Sequence, residues 1–327
     1  MRGFATTQTT AILQFYKESH CMIKTVYHLP EKRLTNTDLV SLFPEWTEEK
    51  IFSKTGIAAR QVVDGNETAL DLAEKAARKL LAKIGVAKED VDYLLLCTQS
   101  PEYKLPSMAC LLHERLGLRK DTGALAFDHG CSGYIYGLSL AKGLIVGGMA
   151  KNVLLVTSET YTKYIAAEDK STRTIFGDGA AATLIDEDVA GKIGAFSFGT
   201  DGSGAEKLIV RDGKLFMDGP EIFNFTLDIV PKTMADVLAK NNLTHDDIDL
   251  YVFHQANKFM LDTIRKANGL PRDKFYVNLE TTGNTVSSTI PIALKQLDDA
   301  GRLCPGMKVM LMGFGVGLSW GATVITI

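Results

Sequence analysis

The chain repeats itself, and the repeat limits what it can fold into. Ala69–Ser100 laid on Thr226–Asn257 runs without a gap at a constant offset of 157, with eight of 32 positions identical. The matches include Leu70/Leu227, Asp71/Asp228, Lys75/Lys232, a Leu-Ala-Lys late in each helix and both aspartates of an Asp-x-Asp before each strand. Each copy reads as an amphipathic helix, a loop and a short buried strand, Tyr93–Leu96 in the first and Leu250–Phe253 in the second. The echo continues beyond this stretch. A helix opening at Cys131 answers one from about Ser287, and Val153–Thr157 answers Val309–Met312. Phe176-Gly177-Asp178-Gly179 with Ala181–Ile185 answers Phe314-Gly315-Val316-Gly317 with Ala322–Ile327. The pattern predicts an α/β protein of two halves, residues 1–186 and 187–327, each a sheet with helices on both faces. The halves pack about a pseudo-twofold axis with their most apolar helices at its centre.

Size and composition set the remaining bounds. A chain of 327 residues, 46% of them apolar, builds a substantial core. A net charge of −3 without a basic run points away from nucleic acid. No apolar stretch reaches the roughly 18–20 residues that span a bilayer, and the opening segment lacks the form of a secretory signal, so a cytoplasmic protein with no membrane partner is expected. The five cysteines, Cys21, Cys97, Cys110, Cys131 and Cys304, are scattered and lack CxxC spacing, which points to neither disulfides nor a metal. Residues 1–20 read as a peripheral arm or part of a first strand.

Chemistry is expected where the copies differ or where a reactive side chain meets a helix end. Cys131 lies between Gly130 and Ser132-Gly133, after a short buried strand at Gly123–Phe127 and before Tyr134, Ile135, Leu138, Leu140, Leu144, Ile145 and Val146. That apolar helix must be buried. Its amino-terminal turn offers free N–H groups that favour thiolate and cradle an oxyanion. The residues alone leave two readings for Cys131, a nucleophile or a small buried hydrophobe. Position 97 carries cysteine where its partner, position 254, carries histidine. His254 follows the strand Leu250–Phe253 directly, at a carboxyl-terminal strand end where α/β folds bind ligands. Asn284, in Thr282-Gly283-Asn284-Thr285, precedes the second central helix, where asparagine also serves as a turn or cap residue. His129 is read as packing behind Cys131 rather than acting as its base. The Gly177-Asp178-Gly179 and Gly315-Val316-Gly317 motifs lack phosphate-loop spacing and read as tight backbone approaches.

Cys131, His254 and Asn284 fall at corresponding ends of the two halves, and with their neighbours they resemble one family. The chain is similar to thiolase-superfamily condensing enzymes, within them to β-ketoacyl-acyl carrier protein synthase III. The matching motifs are Lys54-Thr55-Gly56-Ile57, Gly130-Cys131-Ser132-Gly133, Phe176-Gly177-Asp178-Gly179-Ala180, His254-Gln255-Ala256-Asn257, Gly283-Asn284-Thr285 and Gly313-Phe314-Gly315-Val316-Gly317-Leu318-Ser319-Trp320-Gly321. The likeness runs from about Leu29 to the carboxyl terminus. It implies a thiolase-like fold of two βαβαβαββ halves with buried central helices. It further implies a decarboxylative condensation of an acyl primer held on Cys131 with malonyl-acyl carrier protein, giving a 3-oxoacyl thioester in fatty acid or related acyl-chain synthesis. Backbone N–H groups of Cys131 and Val316 would hold the tetrahedral oxyanion, and His254 Nε2 with the Asn284 amide would hold the enolate. No metal or cofactor enters this chemistry.

The resemblance also implies a homodimer, acyl carrier protein as partner, and Asn257 and Phe314 as substrate-binding positions. Where relatives carry tryptophan and arginines to grip coenzyme A, this chain carries Lys50, Lys54 and Lys170, which offer neither an aromatic face nor a planar fork. Leu105, in Tyr103-Lys104-Leu105-Pro106-Ser107, stands where phenylalanine often lines the partner subunit's acyl pocket; the smaller side chain either leaves room for a different or longer acyl group or fills the same space in another way, and the primer stays open. Two alternatives follow from the same residues. A non-decarboxylating acyltransferase of this fold is disfavoured by the intact His254–Asn284 pair, and a cysteine thioester hydrolase by the apolar helices that keep water from Cys131.

Overall fold

The computed structural model describes residues 24–327; the arm or strand expected within residues 1–20 lies outside them. The described strands are β1 (Lys24–His28), β2 (Arg33–Thr35), β3 (Ala59–Gln61), β4 (Tyr93–Cys97), β5 (Gly123–Phe127), β6 (Val153–Glu159), β7 (Gly179–Ile185), β8 (Ile193–Thr200), β9 (Leu208–Arg211), β10 (Lys214–Met217), β11 (Leu250–Phe253), β12 (Lys308–Gly315) and β13 (Ser319–Thr326). Two sheets carry the core. One runs β1-β7-β6-β4-β5 and the other β11-β12-β13-β8.

The two sheets repeat one another strand for strand. β4–β6 and β11–β12 are parallel, with Tyr93 opposite Val153 and Leu250 opposite Val309. β6–β7 and β12–β13 are antiparallel, as are β1–β7 and β13–β8. Even the fifth strand has a remnant: the parallel β4–β5 pairing of Leu94 with Ala124 is answered by a single bridge between Tyr251 and Phe275. The repeated aspartates explain why the echo persists in sequence. Asp92 accepts the N–H groups of Lys151 and Asn152 through one carboxylate oxygen, and Asp249 accepts that of Lys308. In both halves the carboxylate fastens the start of one strand to the start of its neighbour, and the residue's own N–H completes the clasp.

Helices cover the sheets. Ala69–Ile84 opens with a Thr68–Asp71 capping box and ends on left-handed Gly85. Its counterpart is longer than the repeat predicts, spanning Gly219–Lys240 with Pro220 in its first turn and Pro231 inside. The central helices are Gly133–Val146 and Thr289–Asp299. Tyr134, Ile135 and Leu138 from the first share one apolar cluster with Ile290, Ala293, Leu294 and Leu297 from the second and with Val309 and Leu311 of β12. Hydroxyl pairs fasten the centre: Thr157 with Ser288 at 2.8 Å and Ser132 with Ser319 at 2.7 Å.

Three expectations change. The helix after Cys131 starts at Gly133, with Ser132 as its cap, so the cysteine stands in the turn before it. That helix is not wholly buried, because Leu140 is exposed and Val146 is 74% exposed. β5 is likewise not a buried strand: it forms the sheet edge, with Leu125 43% exposed. An apolar sequence reports which surfaces avoid water, not whether the same chain covers them.

Candidate active site

Cys131, His254 and Asn284 all line one cavity of about 600 Å³. Its outer wall includes Trp46, Ser53, Lys54 and the exposed ring of Phe259; its buried end is formed by the three residues with Phe314 and Gly315. Cys131 is 6% exposed. The chain reaches it through a turn closed by Gly133 N–H donating to Gly130 O at 2.8 Å. β12 approaches so closely that a Cβ on Gly315 would lie 2.9 Å from Cys131 Cβ and 3.0 Å from Sγ. The bare glycine backbone is what leaves room for the thiol. Gly177 meets its neighbours in the same way, since a Cβ there would lie 2.5 Å from Thr282 O.

The electrostatics of Cys131 differ from those expected of a residue inside a helix turn. Burial pushes its thiol up to about 12, and the nearby Glu159 adds to the rise. Hydrogen bonding from the backbone at Cys131 and Val316 acts in the opposite direction. Burial outweighs the backbone donors, so the free residue is a thiol. Both N–H groups nevertheless lie close enough to act on the sulfur.

His254 and Asn284 face each other, with Asn284 Nδ2 3.5 Å from His254 Nε2. His254 follows β11, and its N–H donates to Met312 O at 2.8 Å, which fixes the backbone beside β12. Its Nδ1 lies 2.7 Å from Thr289 Oγ1, and its ring meets that of Phe314 edge-on at 5.7 Å. Burial lowers the imidazole to about 3. Asn284 is oriented by Val286, whose N–H donates to Oδ1 at 2.8 Å and so turns Nδ2 toward the histidine. Val286 holds this geometry at φ of +56°, a costly left-handed conformation for a β-branched side chain.

The other predicted positions divide. Lys54, Asn257 and Phe314 line the cavity. Asn257 also caps the Lys258–Ala267 helix, its Oδ1 accepting Met260 N–H at 2.9 Å. Lys50 does not line the cavity, and Lys170 forms an ion pair with Glu45. Leu105 is 82% exposed and touches no part of this cavity within the one chain. His129 packs on Tyr136 with ring centroids 4.3 Å apart and is absent from the cavity wall.

Sequence reasoning missed Trp46, and the expectation that this region offers no aromatic face is corrected by it. Lys50 Nζ stands 5.1 Å and Lys54 Nζ 5.6 Å from the Trp46 ring centre, so the two lysines and the indole form one group at the cavity wall. The available signal was its position just ahead of Thr47, which caps the helix that presents both lysines. Glu159 was also missed. Fully buried at the end of β6, it accepts from Gln99 N–H at 3.0 Å, Ser100 Oγ at 3.1 Å and Ser287 Oγ at 2.8 Å. Burial nevertheless raises its carboxyl to about 8.

A second cavity, of about 380 Å³, lies on the side of Val316 and Gly317 and is lined by Gln99, Pro101, Tyr161, Leu208 and Leu215 among others. The Tyr161 hydroxyl donates to Gln99 Oε1 within its wall. Among the described residues, no cluster of His, Cys, Asp and Glu is arranged to hold a metal ion, and no helix is long and apolar enough to cross a membrane.

Comparison with known proteins gives the family. Residues 127–202 match the 3-oxoacyl-[acyl-carrier-protein] synthase III model, and residues 238–327 match the model of its carboxyl-terminal part. The β-ketoacyl-[acyl-carrier-protein] synthase III of Clostridium perfringens is 36% identical over 312 residues, covering 90% of this chain and 95% of that protein. A crystal structure of a 3-oxoacyl-(acyl-carrier-protein) synthase III superposes with a TM-score of 0.90 at 46% identity, covering 93% of this chain and 98% of the other. The Thermus thermophilus enzyme superposes at 0.86 with 35% identity over 93% and 98% of the two chains. The chain belongs to the 3-oxoacyl-[acyl-carrier-protein] synthase III family, and it is an acyl-transferring condensing enzyme of fatty acid biosynthesis.

Proposed function

We propose that Cys131 is the acyl-carrying nucleophile and that His254 and Asn284 hold the enolate formed from a malonyl thioester. The observation that carries this reading is their convergence on one cavity from three separate segments of the chain. In the first half-reaction the Cys131 sulfur attacks the primer thioester carbon, and backbone N–H groups of Cys131 and Val316 receive the oxyanion. The tetrahedral adduct collapses with loss of the primer's carrier thiol, which leaves with the proton that Cys131 gives up. In the second, malonyl thioester loses carbon dioxide, and the enolate oxygen is held between His254 Nε2–H and Asn284 Nδ2. The enolate carbon attacks acyl-Cys131; the new carbon–carbon bond forms, the thioester to Cys131 breaks, and the thiolate is reprotonated from solvent. Because burial keeps the imidazole neutral, it acts as a hydrogen-bond donor without carrying charge.

The malonyl group arrives on acyl carrier protein, its pantetheine arm entering past Trp46, Lys54 and Phe259, while the second cavity takes the primer chain. Gln99 and Pro101 of that cavity belong to the same loop as Leu105. A homodimer accounts for the exposed apolar surface of Leu125, Leu140, Val146, Met149 and Phe198, with β5 meeting its copy at the sheet edge and Leu105 reaching the partner's primer cavity. The halves divide at residues 186 and 187, the reaction needs no cofactor, and the enzyme works in the cytoplasm. Intact-protein mass spectrometry after incubation with acyl-coenzyme A and acyl-carrier-protein thioesters tests the core of this reading. One primer mass is expected on the wild type and none on Cys131→Ala; full condensation by that variant would overturn it.

A further inference from the structure

A neutral imidazole has one ring proton, and for His254 its position decides whether Nε2 donates or accepts. Asn284 does not favour the donor form. Its orientation, set by Val286 N–H, turns Nδ2 toward Nε2, so with nothing else present the amide would donate to an unprotonated Nε2. The deciding contact is on the other side of the ring. Nδ1 is buried, and Thr289 Oγ1 stands 2.7 Å from it.

The threonine hydroxyl also has one proton and two acceptors within reach, His254 Nδ1 at 2.7 Å and Val286 O at 3.0 Å. The carbonyl already accepts the backbone N–H of Thr289 in the Val286–Ser288 turn. With the proton on Nε2, as the enolate-donor role requires, Nδ1 is a buried acceptor facing Thr289 Oγ1, and leaving it unpaired would cost about 1–3 kcal/mol. We infer that Thr289 is a positioning residue whose hydroxyl donates to Nδ1 and thereby keeps the His254 proton on Nε2. Two donors, Nε2–H and Asn284 Nδ2–H, then converge on one point of the cavity without satisfying each other. The pair stays open for a developing negative oxygen, as preorganised stabilisation requires.

The inference rests on the reading of His254 as an enolate donor, and it is tested by a measurement that does not depend on turnover. In protein labelled with 15N-histidine, His254 of the wild type should show a protonated Nε2 and an unprotonated Nδ1 at neutral pH. Thr289→Val keeps the side-chain shape and removes the hydroxyl. It should shift the spectrum toward an unprotonated Nε2 and slow malonyl decarboxylation about 10- to 100-fold, the usual scale for a residue that orients a working histidine. Acyl loading of Cys131 should be unchanged, which separates this loss from misfolding, and Thr289→Ser should restore both the spectrum and the rate. A wild-type spectrum with the proton on Nδ1, or a Thr289→Val spectrum identical to wild type, would overturn the inference. His254→Ala run beside them keeps the two ideas apart: normal condensation there refutes the donor role, while the spectra still decide what Thr289 does.

Discussion

Replacing His254 by glutamine, which does not titrate, should make the protein's stability less sensitive to acid. Burial lowers the folded imidazole from the usual 6.5 to about 3. Between those values the unfolded chain binds a proton that the folded chain does not, so this residue's effect is to reduce stability as pH falls below 6.5. Each pH unit in that window is worth about 1.4 kcal/mol, so at pH 5 wild type should have lost about 2 kcal/mol through this residue that it retains at pH 7.5. His254→Gln carries its own packing and hydrogen-bond cost, but that cost is the same at both values. Glu159, raised to about 8, acts with the opposite sign: the folded state binds the extra proton, so stability is lost as pH rises from 4.5 through 8. It is present in both proteins and cancels in the difference. Urea unfolding at fixed protomer concentration, at pH 7.5 and pH 5, reads the quantity directly. The gap between wild type and variant should narrow by about 2 kcal/mol at the lower pH. An unchanged gap would mean that His254 is protonated in the folded protein or open to water, and the neutral-donor argument would fail with it.

Two further outcomes follow from the site. His254→Ala or Asn284→Ala should leave acyl loading of Cys131 intact in the mass spectrum while malonyl decarboxylation slows by about 10²–10³, the scale of one lost oxyanion donor; a variant condensing at the wild-type rate would remove that residue from the role. Leu105→Phe should shorten the longest primer accepted and Leu105→Ala extend it, with sedimentation reporting a dimer in both; an unchanged chain-length profile, or a fully active monomer, would refute the placement of Leu105 in a partner's cavity.

What could be read in the sequence depended on how local the physics was. The Asp92 and Asp249 clasps are short-range devices that fix a strand start, so each half keeps its aspartate and the duplication stays visible. Close approaches are legible for a similar reason, since a Cβ on Gly315 would collide with Cys131 whatever lies beyond. Trp46 was less accessible. Its importance comes from where the following helix turns Lys50 and Lys54, and that is set by tertiary packing. Thr289 was hidden for a related reason: in sequence it opens a helix, and only the fold brings its hydroxyl to a histidine 35 residues away. The exposure of Leu140 and Val146 was misread because an apolar helix carries no sign of whether its cover is another part of the chain or another copy.

The duplication supplies two equivalent places for chemistry in each half, a strand end and the turn before a central helix, yet the three candidate residues line a single cavity. At the strand end the copies hold Cys97 and His254. Cys97 is turned inward, with Sγ 2.7 Å from His129 O, and does not reach the cavity, while His254 lines it. In the turn the positions reverse. Cys131 lines the cavity, whereas Ser287 and Ser288 in the matching turn are engaged elsewhere, Ser287 donating to Glu159 and Ser288 paired with Thr157. At these aligned positions each half has one residue that faces the cavity and one bound into the core, and the second half adds Asn284 just ahead of its turn. The hydroxyls locked at the second turn hold the 3-10 segment that carries Val286, and Val286 orients Asn284. A nucleophile at that turn would have to give up those bonds, and the donor pair would lose its frame. In the proposed chemistry this asymmetry lets one half hold the acyl group while the other stabilises the enolate that attacks it.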